Sequence, residues 1–207
     1  MGAMASWDVL RGARVIVDLP EGDADDLIAV GEVLLQEALP VWCLPRSRAG
    51  ELSGLRAVFG ERVVLGLGDL RTPGQVSAAV AAGADFLLGL VGAASLAEAA
   101  GEIPIALGAL TPSEIAAASD VAGAVQVIPC DALGSMYSRT LPALFAGVPL
   151  VASGTMERFI AEMWLEAGAA AVCPRGWIRP ELASDPDLSE LRRRVQALDF
   201  TDLDGSA

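Results

Sequence analysis

Eight times along the chain, a short run of β-branched or leucine-rich residues gives way to a longer stretch dominated by alanine and leucine. Short apolar runs of that kind suit strands buried on both faces, and helical stretches between them make the crossovers that parallel strands require. The expected strands are Arg14 to Asp18, Pro40 to Leu44, Val63 to Leu67, Phe86 to Leu90, Ile103 to Leu107, Ala124 to Ile128, Val148 to Ala152 and Ala169 to Cys173. The expected helices are Asp23 to Glu37, Ala49 to Phe59, Pro73 to Ala82, Ala93 to Ala100, Pro112 to Ser119, Gly134 to Phe145, Thr155 to Ala167 and Asp187 to Leu198. Eight such units in 207 residues predict a single small (β/α)8 barrel over residues 1–207, with 199–207 as a flexible acidic tail.

Two helix starts carry a local signature. Thr72 precedes Pro73 with Gln75 three positions after the threonine, and Thr111, Pro112 and Glu114 repeat the pattern. A threonine cap, a proline in the first helical position and an acceptor at the third satisfy amides that a helix start otherwise leaves unpaired. These motifs fix where the third and fifth strands end, and so which residues face the mouth of the barrel.

Composition removes much chemistry. All 14 basic residues are arginine, so the chain has no lysine, and it has no histidine. That excludes a Schiff-base lysine, a phosphate-loop lysine, histidine-activated serine or cysteine nucleophiles, and histidine-ligated metals. A formal charge of -13 argues against nucleic acid and against anionic membrane surfaces, which both need a clustered basic field. Cys43, Cys130 and Cys173 lack short spacing and read as buried thiols rather than a disulfide framework. The most apolar window, Val76 to Ala97, is interrupted by Asp85 and reads as a helix, a turn and a strand rather than a membrane span. Met1 to Asp8 lacks a secretory signal pattern, and the expectation is a cytoplasmic protein whose apolar surplus covers a subunit interface.

Barrels of this kind place chemistry on the loops after the strands. The polar residues there are Asp18, Glu21, Arg46, Asp69, Arg71, Asp131, Ser153, Thr155 and Arg175. Arg46, Arg71 and Arg175 read either as an anion site or as partners in surface salt bridges with Asp69, Glu21 or Asp131. Asp23, Asp25 and Asp26 read as charges at a helix start, while Asp18, ending a strand, is equally suited to the mouth. Trp42, if it pointed inward, would fill the barrel centre, and regular alternation would send Arg46 to the same side. Ser153-Gly154-Thr155 reads either as the cap of the seventh helix or as an amide site for an anion.

Taken together, the chain resembles the 2-keto-3-deoxy-6-phosphogluconate and 2-keto-4-hydroxyglutarate aldolases, which are (β/α)8 barrels that form trimers. The resemblance runs from about Val15 to Leu182 and is carried by Gly66-Leu67-Gly68-Asp69-Leu70 through Ala82-Gly83-Ala84-Asp85-Phe86, by Ile103-Pro104-Ile105-Ala106-Leu107-Gly108, and by Val125-Gln126-Val127-Ile128-Pro129-Cys130-Asp131. That family cleaves keto acids to pyruvate through a lysine imine, with a glutamate as proton shuttle. The resemblance puts Gln126 at the lysine position and Trp42 at the glutamate position. Arg46 falls on the arginine that holds the substrate carboxylate, Pro129 matches, and Asp69 stands where the family has a threonine. The phosphate-binding turns correspond to Ser153-Gly154-Thr155 and Pro174-Arg175-Gly176.

Two functional expectations follow. The first is an aldolase-like homotrimer without imine chemistry or cofactor, serving as a binding, scaffold or regulatory protein for a small carboxylate or phosphorylated keto acid. Its ligand residues would be Arg46, Asp69, Pro129, Ser153, Gly154 and Arg175. The second is a lyase that polarises a keto acid through a divalent cation such as magnesium or manganese, with Asp18 and Asp69 as the ligands and Glu21 or Asp131 as further ligands or bases.

Overall fold

The computed structural model describes residues 6–200 other than 23, 184 and 186. Its strands are β1 (Val17–Asp18), β2 (Val41–Pro45), β3 (Val64–Leu70), β4 (Phe86–Gly89), β5 (Ile105–Ala109), β6 (Ala124–Val127), β7 (Leu150–Gly154) and β8 (Ala171–Pro174). Each pairs in parallel with the next. The ring closes where Val15 bridges Val172: the Ile16 amide donates to the Val172 carbonyl at 2.8 Å, and the Val172 amide to the Arg14 carbonyl at 2.9 Å. This is the expected (β/α)8 barrel.

The helices are α1 (Ala24–Gln36), α2 (Leu52–Phe59), α3 (Pro73–Ala81), α4 (Ala94–Ala100), α5 (Pro112–Ser119), α6 (Ser135–Leu144), α7 (Arg158–Glu166), α8 (Pro180–Ala183) and α9 (Ser189–Gln196). Most lie where the sequence pattern puts them. The threonine caps form as read: Thr72 Oγ1 accepts from the Gln75 amide, and Thr111 and Glu114 make a complete capping box. Glu114 Oε2 accepts from the Thr111 and Leu110 amides at 2.8 and 2.9 Å, which holds its carboxyl below the ordinary range. Three boundaries differ. A tight 3-10 segment, Arg46–Glu51, precedes α2; the seventh helix starts at Arg158 rather than Thr155; and the short α8 precedes the last helix.

Strand alternation sorts the core into two layers. Ile16, Val41, Cys43, Val64, Phe86, Leu88, Ala106, Ala124, Val151, Ala171 and Cys173 pack inside the ring. Their neighbours in sequence, such as Val17, Trp42, Leu65, Leu87 and Val125, pack outward against the helices. The interior is narrow, so it alternates one large residue with several small ones. A side chain at Gly66 would collide with the Phe86 ring, which occupies the room that glycine leaves. Trp7 and Leu10, on the 3-10 turn Trp7–Leu10, close the amino-terminal end, with the Trp7 ring edge-on to Phe86 at 6.0 Å.

Val76 to Ala97 resolves into α3, β4 and the start of α4, as its pattern suggests; among the described residues no helix is long and apolar enough to cross a membrane. The first residues of the expected tail, Asp199 and Phe200, come just after α9. Phe200 is buried beneath the Arg158 guanidinium, 5.1 Å from its ring centre. Residues 201–207 of the expected tail, and Asp23 at the start of the first helix, lie outside the described residues.

Candidate functional site at the barrel mouth

Following the alternation up each strand brings Asp18, Cys43, Gln126, Ser153 and Cys173 to the interior near the carboxyl ends, with Arg175 just beyond β8. Arg175 is the hub. Its Nη2 lies 2.9 and 3.1 Å from the two carboxylate oxygens of Asp69, and its Nε lies 3.5 Å from Asp18 Oδ1. The Gly176 amide donates to Asp18 Oδ2 at 3.2 Å. Of the two sequence readings for Arg175, the ion-paired one describes this arrangement, with Asp18 as an additional partner. The arginine reaches from β8 past the ends of β1 and β2 to β3, crossing above Gly68, which has no side chain to obstruct it.

Asp69 reaches Arg175 from a point within β3 where the regular pairing with β4 breaks. It adopts the left-handed conformation, φ 60°, at an irregularity between Leu67 and Leu70 where the β3 register shifts. Among non-glycine residues, aspartate is one that tolerates this region. Asp18 is the more deeply set carboxylate. Burial raises its carboxyl above the ordinary range, Arg175 and the Gly176 amide oppose that shift, and Asp69 adds to it.

Gln126 is fully buried. Its Nε2 donates to the Gly89 carbonyl at 2.8 Å, across the gap left by Gly108, where a side chain would collide with the Leu90 carbonyl. Its Oε1 has no hydrogen-bond partner among the described residues. Ser153 Oγ, also buried, lies beside the Cys173 thiol without a hydrogen bond of ordinary geometry. Burial above all pushes the thiols of Cys130 and Cys173 up to about 12 and that of Cys43 well above its ordinary value, so none is disposed to act as a thiolate near neutral pH.

Trp42 points the other way. It is fully buried between the sheet and the helices, its ring edge-on to Phe59 at 4.9 Å and its Nε1 donating to the Leu39 carbonyl at 2.6 Å. Gly31 on α1 leaves the notch it fills. Of the two placements open to the indole, packing against the helices is the one found: strand parity puts Cys43 inside and Trp42 outside, where an aromatic residue finds a larger space. The strand does not stay regular as far as Arg46. The chain turns into the 3-10 segment at that residue, so strand alternation ends before it, and Arg46 is exposed.

Other expected mouth residues do not converge on Arg175. Arg71 and Asp131 are exposed, and the Arg71 amide is spent on Gln75 Oε1. Glu21 accepts from Ser47 Oγ at 3.3 Å, and Arg48 bonds to the Gly22 carbonyl, tying together the loops after β1 and β2. Ser153 and Gly154 complete β7 instead of capping a helix, since α7 begins four residues after Gly154. Pro129 follows β6, and the Cys130 amide after it donates to the Ser153 carbonyl at 2.9 Å. As for a divalent cation, the guanidinium lies between Asp18 and Asp69 and is paired to both. Among the described residues no group of three or more histidine, cysteine, aspartate or glutamate side chains could hold a metal. The pair does not fit a cation in this arrangement.

A cavity of about 390 Å³ opens beside Arg175, lined in part by Thr155, Glu157, Trp177, Arg193 and Arg194. Trp177 Nε1 donates to the Arg194 carbonyl and Arg194 Nη1 to the Trp177 carbonyl, each at 2.9 Å, which staples α9 to the loop after β8. The sequence pattern places this last helix, Asp187 to Leu198, but gives its arginines no part near the mouth, because no local signal tells that it docks on the loop after β8.

The family described as KDPG and KHG aldolase has a sequence model that matches residues 7–193. No curated protein matches the chain. Among solved structures, the 4-hydroxy-2-oxoglutarate aldolase/2-deydro-3-deoxyphosphogluconate aldolase from TTHB1 is 26% identical, with a TM-score of 0.74 over 94% of this chain and 97% of that one. KDPG aldolase from Legionella pneumophila, solved with pyruvate captured as a covalent carbinolamine intermediate, is 21% identical, with a TM-score of 0.80 over 92% and 96%. The 2-keto-3-deoxy-6-phospho-gluconate aldolase of Zymomonas mobilis is 17% identical, with a TM-score of 0.78 over 93% and 95%.

Proposed function

The chain belongs to the KDPG and KHG aldolase family, and on that premise we propose that it works without imine chemistry, binding a small carboxylate or phosphorylated keto acid in a scaffold or regulatory role. Gln126 carries this reading. It occupies the position that the family resemblance gives to lysine, its nitrogen is an amide held by the Gly89 carbonyl, and the sequence has no lysine to replace it. An amide nitrogen has its lone pair delocalised into the carbonyl and does not add to a ketone to give an iminium. Trp42, packed outside the barrel, moves no proton at the mouth.

The carboxylate-binding part of the reading rests on Arg175, whose guanidinium already takes an aspartate carboxylate at the mouth, and on Arg46 at the rim. Self-association as a homotrimer belongs to the same proposal. The exposed apolar side chains Leu133, Met136 and Leu144 on and before α6, with Phe159 on α7, support a covered face there.

The test is pyruvate release from 2-keto-3-deoxy-6-phosphogluconate and 2-keto-4-hydroxyglutarate, with magnesium or manganese and again with EDTA, alongside borohydride reduction in the presence of pyruvate. The expected result is no release and no mass increase of the chain. Release at ordinary enzymatic rates overturns the proposal, and release that requires the metal replaces it with cation-assisted lyase chemistry.

A further inference from the structure

The two aspartates on Arg175 are not equivalent. Asp18 is the anchored one: it ends β1, its side chain is 15% exposed, and it accepts the Gly176 amide as well as facing the arginine. Asp69 sits on a bulge in a left-handed conformation, its side chain is 25% exposed, and its carboxylate bonds to no described group but Arg175. Both of its oxygens rest on a single nitrogen, Nη2. The other terminal nitrogen, Nη1, makes no hydrogen bond to a described residue.

A guanidinium holds a carboxylate best as a fork, two parallel bonds from two nitrogens. Asp69 does not use that fork, and Arg175 itself lines the neighbouring cavity of about 390 Å³. We propose that Asp69 is an internal stand-in for the ligand: a small carboxylate takes the Nη1 and Nη2 edge of Arg175 by displacing Asp69, while Asp18 keeps the guanidinium in position.

This rests on the carboxylate-binding reading above and adds a device to it. With Asp69 engaged, the mouth is closed to weak or poorly shaped anions, since any ligand must outcompete a tethered carboxylate. The bulge gives the displaced residue somewhere to go, because β3 has already left its register at that point. A competitor of this kind reduces the apparent affinity by the fraction of molecules in which the site is open.

Pyruvate is the probe, titrated into the full-length wild-type chain by calorimetry and by nitrogen-15 spectra of the arginine side chains. Binding should move the Arg175 side-chain resonances. Asp69→Asn, which keeps shape and removes charge, should tighten pyruvate binding by about tenfold or more, as expected for removal of a competing internal ligand. Asp18→Asn also removes a negative charge, yet it should weaken binding, because Arg175 loses its anchor. Asp120→Asn, a charge change at the exposed carboxyl end of α5, should leave affinity within about twofold, the size of a screened surface effect. Retained cooperative unfolding identifies the variants that have folded, and the wild-type arginine spectra test the displacement without any variant.

Equal tightening by all three substitutions would reduce the effect to net charge and overturn the displacement. So would unchanged affinity in Asp69→Asn, undetectable pyruvate binding to wild type and variant alike, or saturation with no change at Arg175. Pyruvate bound equally by wild type and Asp69→Asn leaves the carboxylate-binding reading standing while the stand-in falls. Borohydride trapping or pyruvate release overturns that reading itself.

Discussion

Raising the pH from 7 to 10 should destabilise this protein steeply, and the loss should come from its thiols. With no histidine and no lysine, no ordinary side chain titrates between the carboxylates and cysteine, so stability should be nearly flat from about pH 6 to 8.5. Cys130 and Cys173 are held up to about 12 in the folded barrel, chiefly by burial, and Cys43 is raised well above 9.0. In the unfolded chain the same thiols lose their protons near 9. The folded state therefore keeps protons that the unfolded state gives up, and stability falls as pH rises through 9. At pH 10 an unfolded thiol with a pKa of 9 gains about 1.4 kcal/mol from ionisation, and three give about 4 kcal/mol. Tyr137, also raised by burial, acts in the same direction.

Urea unfolding under reductant, followed by tryptophan fluorescence at each pH, measures this. A triple variant with Cys43, Cys130 and Cys173 changed to alanine should start less stable at pH 7 and lose about 1 kcal/mol or less by pH 10. The reasoning fails if wild type loses under about 1.5 kcal/mol over the same interval, or if the triple variant loses as much as wild type. Either result would mean that the thiols reach solvent in the folded barrel, and a thiolate nucleophile at the mouth would again be available.

Three further outcomes follow from the packing. Trp42→Ala should cost about 3–5 kcal/mol in urea unfolding, because a fully buried indole, its bond to Leu39 and its edge contact with Phe59 vanish together, while pyruvate affinity stays within about twofold. Gly31→Ala should be destabilising by about 1–3 kcal/mol, since the added carbon would lie 2.6 Å from Phe59 and 2.7 Å from Trp42; a neutral result would show that the notch is looser than drawn. Gln126→Met should stay within about 1 kcal/mol of wild type, because the lost bond to Gly89 is offset by removal of a buried oxygen that has no partner; a loss above about 3 kcal/mol would show that Oε1 is satisfied after all.

The barrel was legible because its signals are local and repeated. A β-branched run, a threonine cap and a proline at the first helical position act within a few residues, and eight repetitions leave little freedom in how the units assemble. The site was legible only in its inventory. Asp18, Asp69 and Arg175 could each be assigned to the mouth, but Asp69 and Arg175 are 106 positions apart, and no local pattern tells a free arginine from one already paired. Trp42 shows the same limit from the other side: its identity left both faces of the strand open, and a one-residue question of strand parity decided that it packs outward.

From sequence alone come the (β/α)8 fold and the absence of any lysine or histidine, while the family resemblance implies the assignment of Gln126 to the lysine position. Only the tertiary structure sets Asp18 and Asp69 on Arg175, turns Trp42 away from the mouth and leaves Oε1 of Gln126 without a partner. The difference is physical. Fold follows from periodic burial that each segment encodes for itself, whereas pairing in the site depends on which side chains from distant strands reach the same few ångströms, and that is decided when the ring closes.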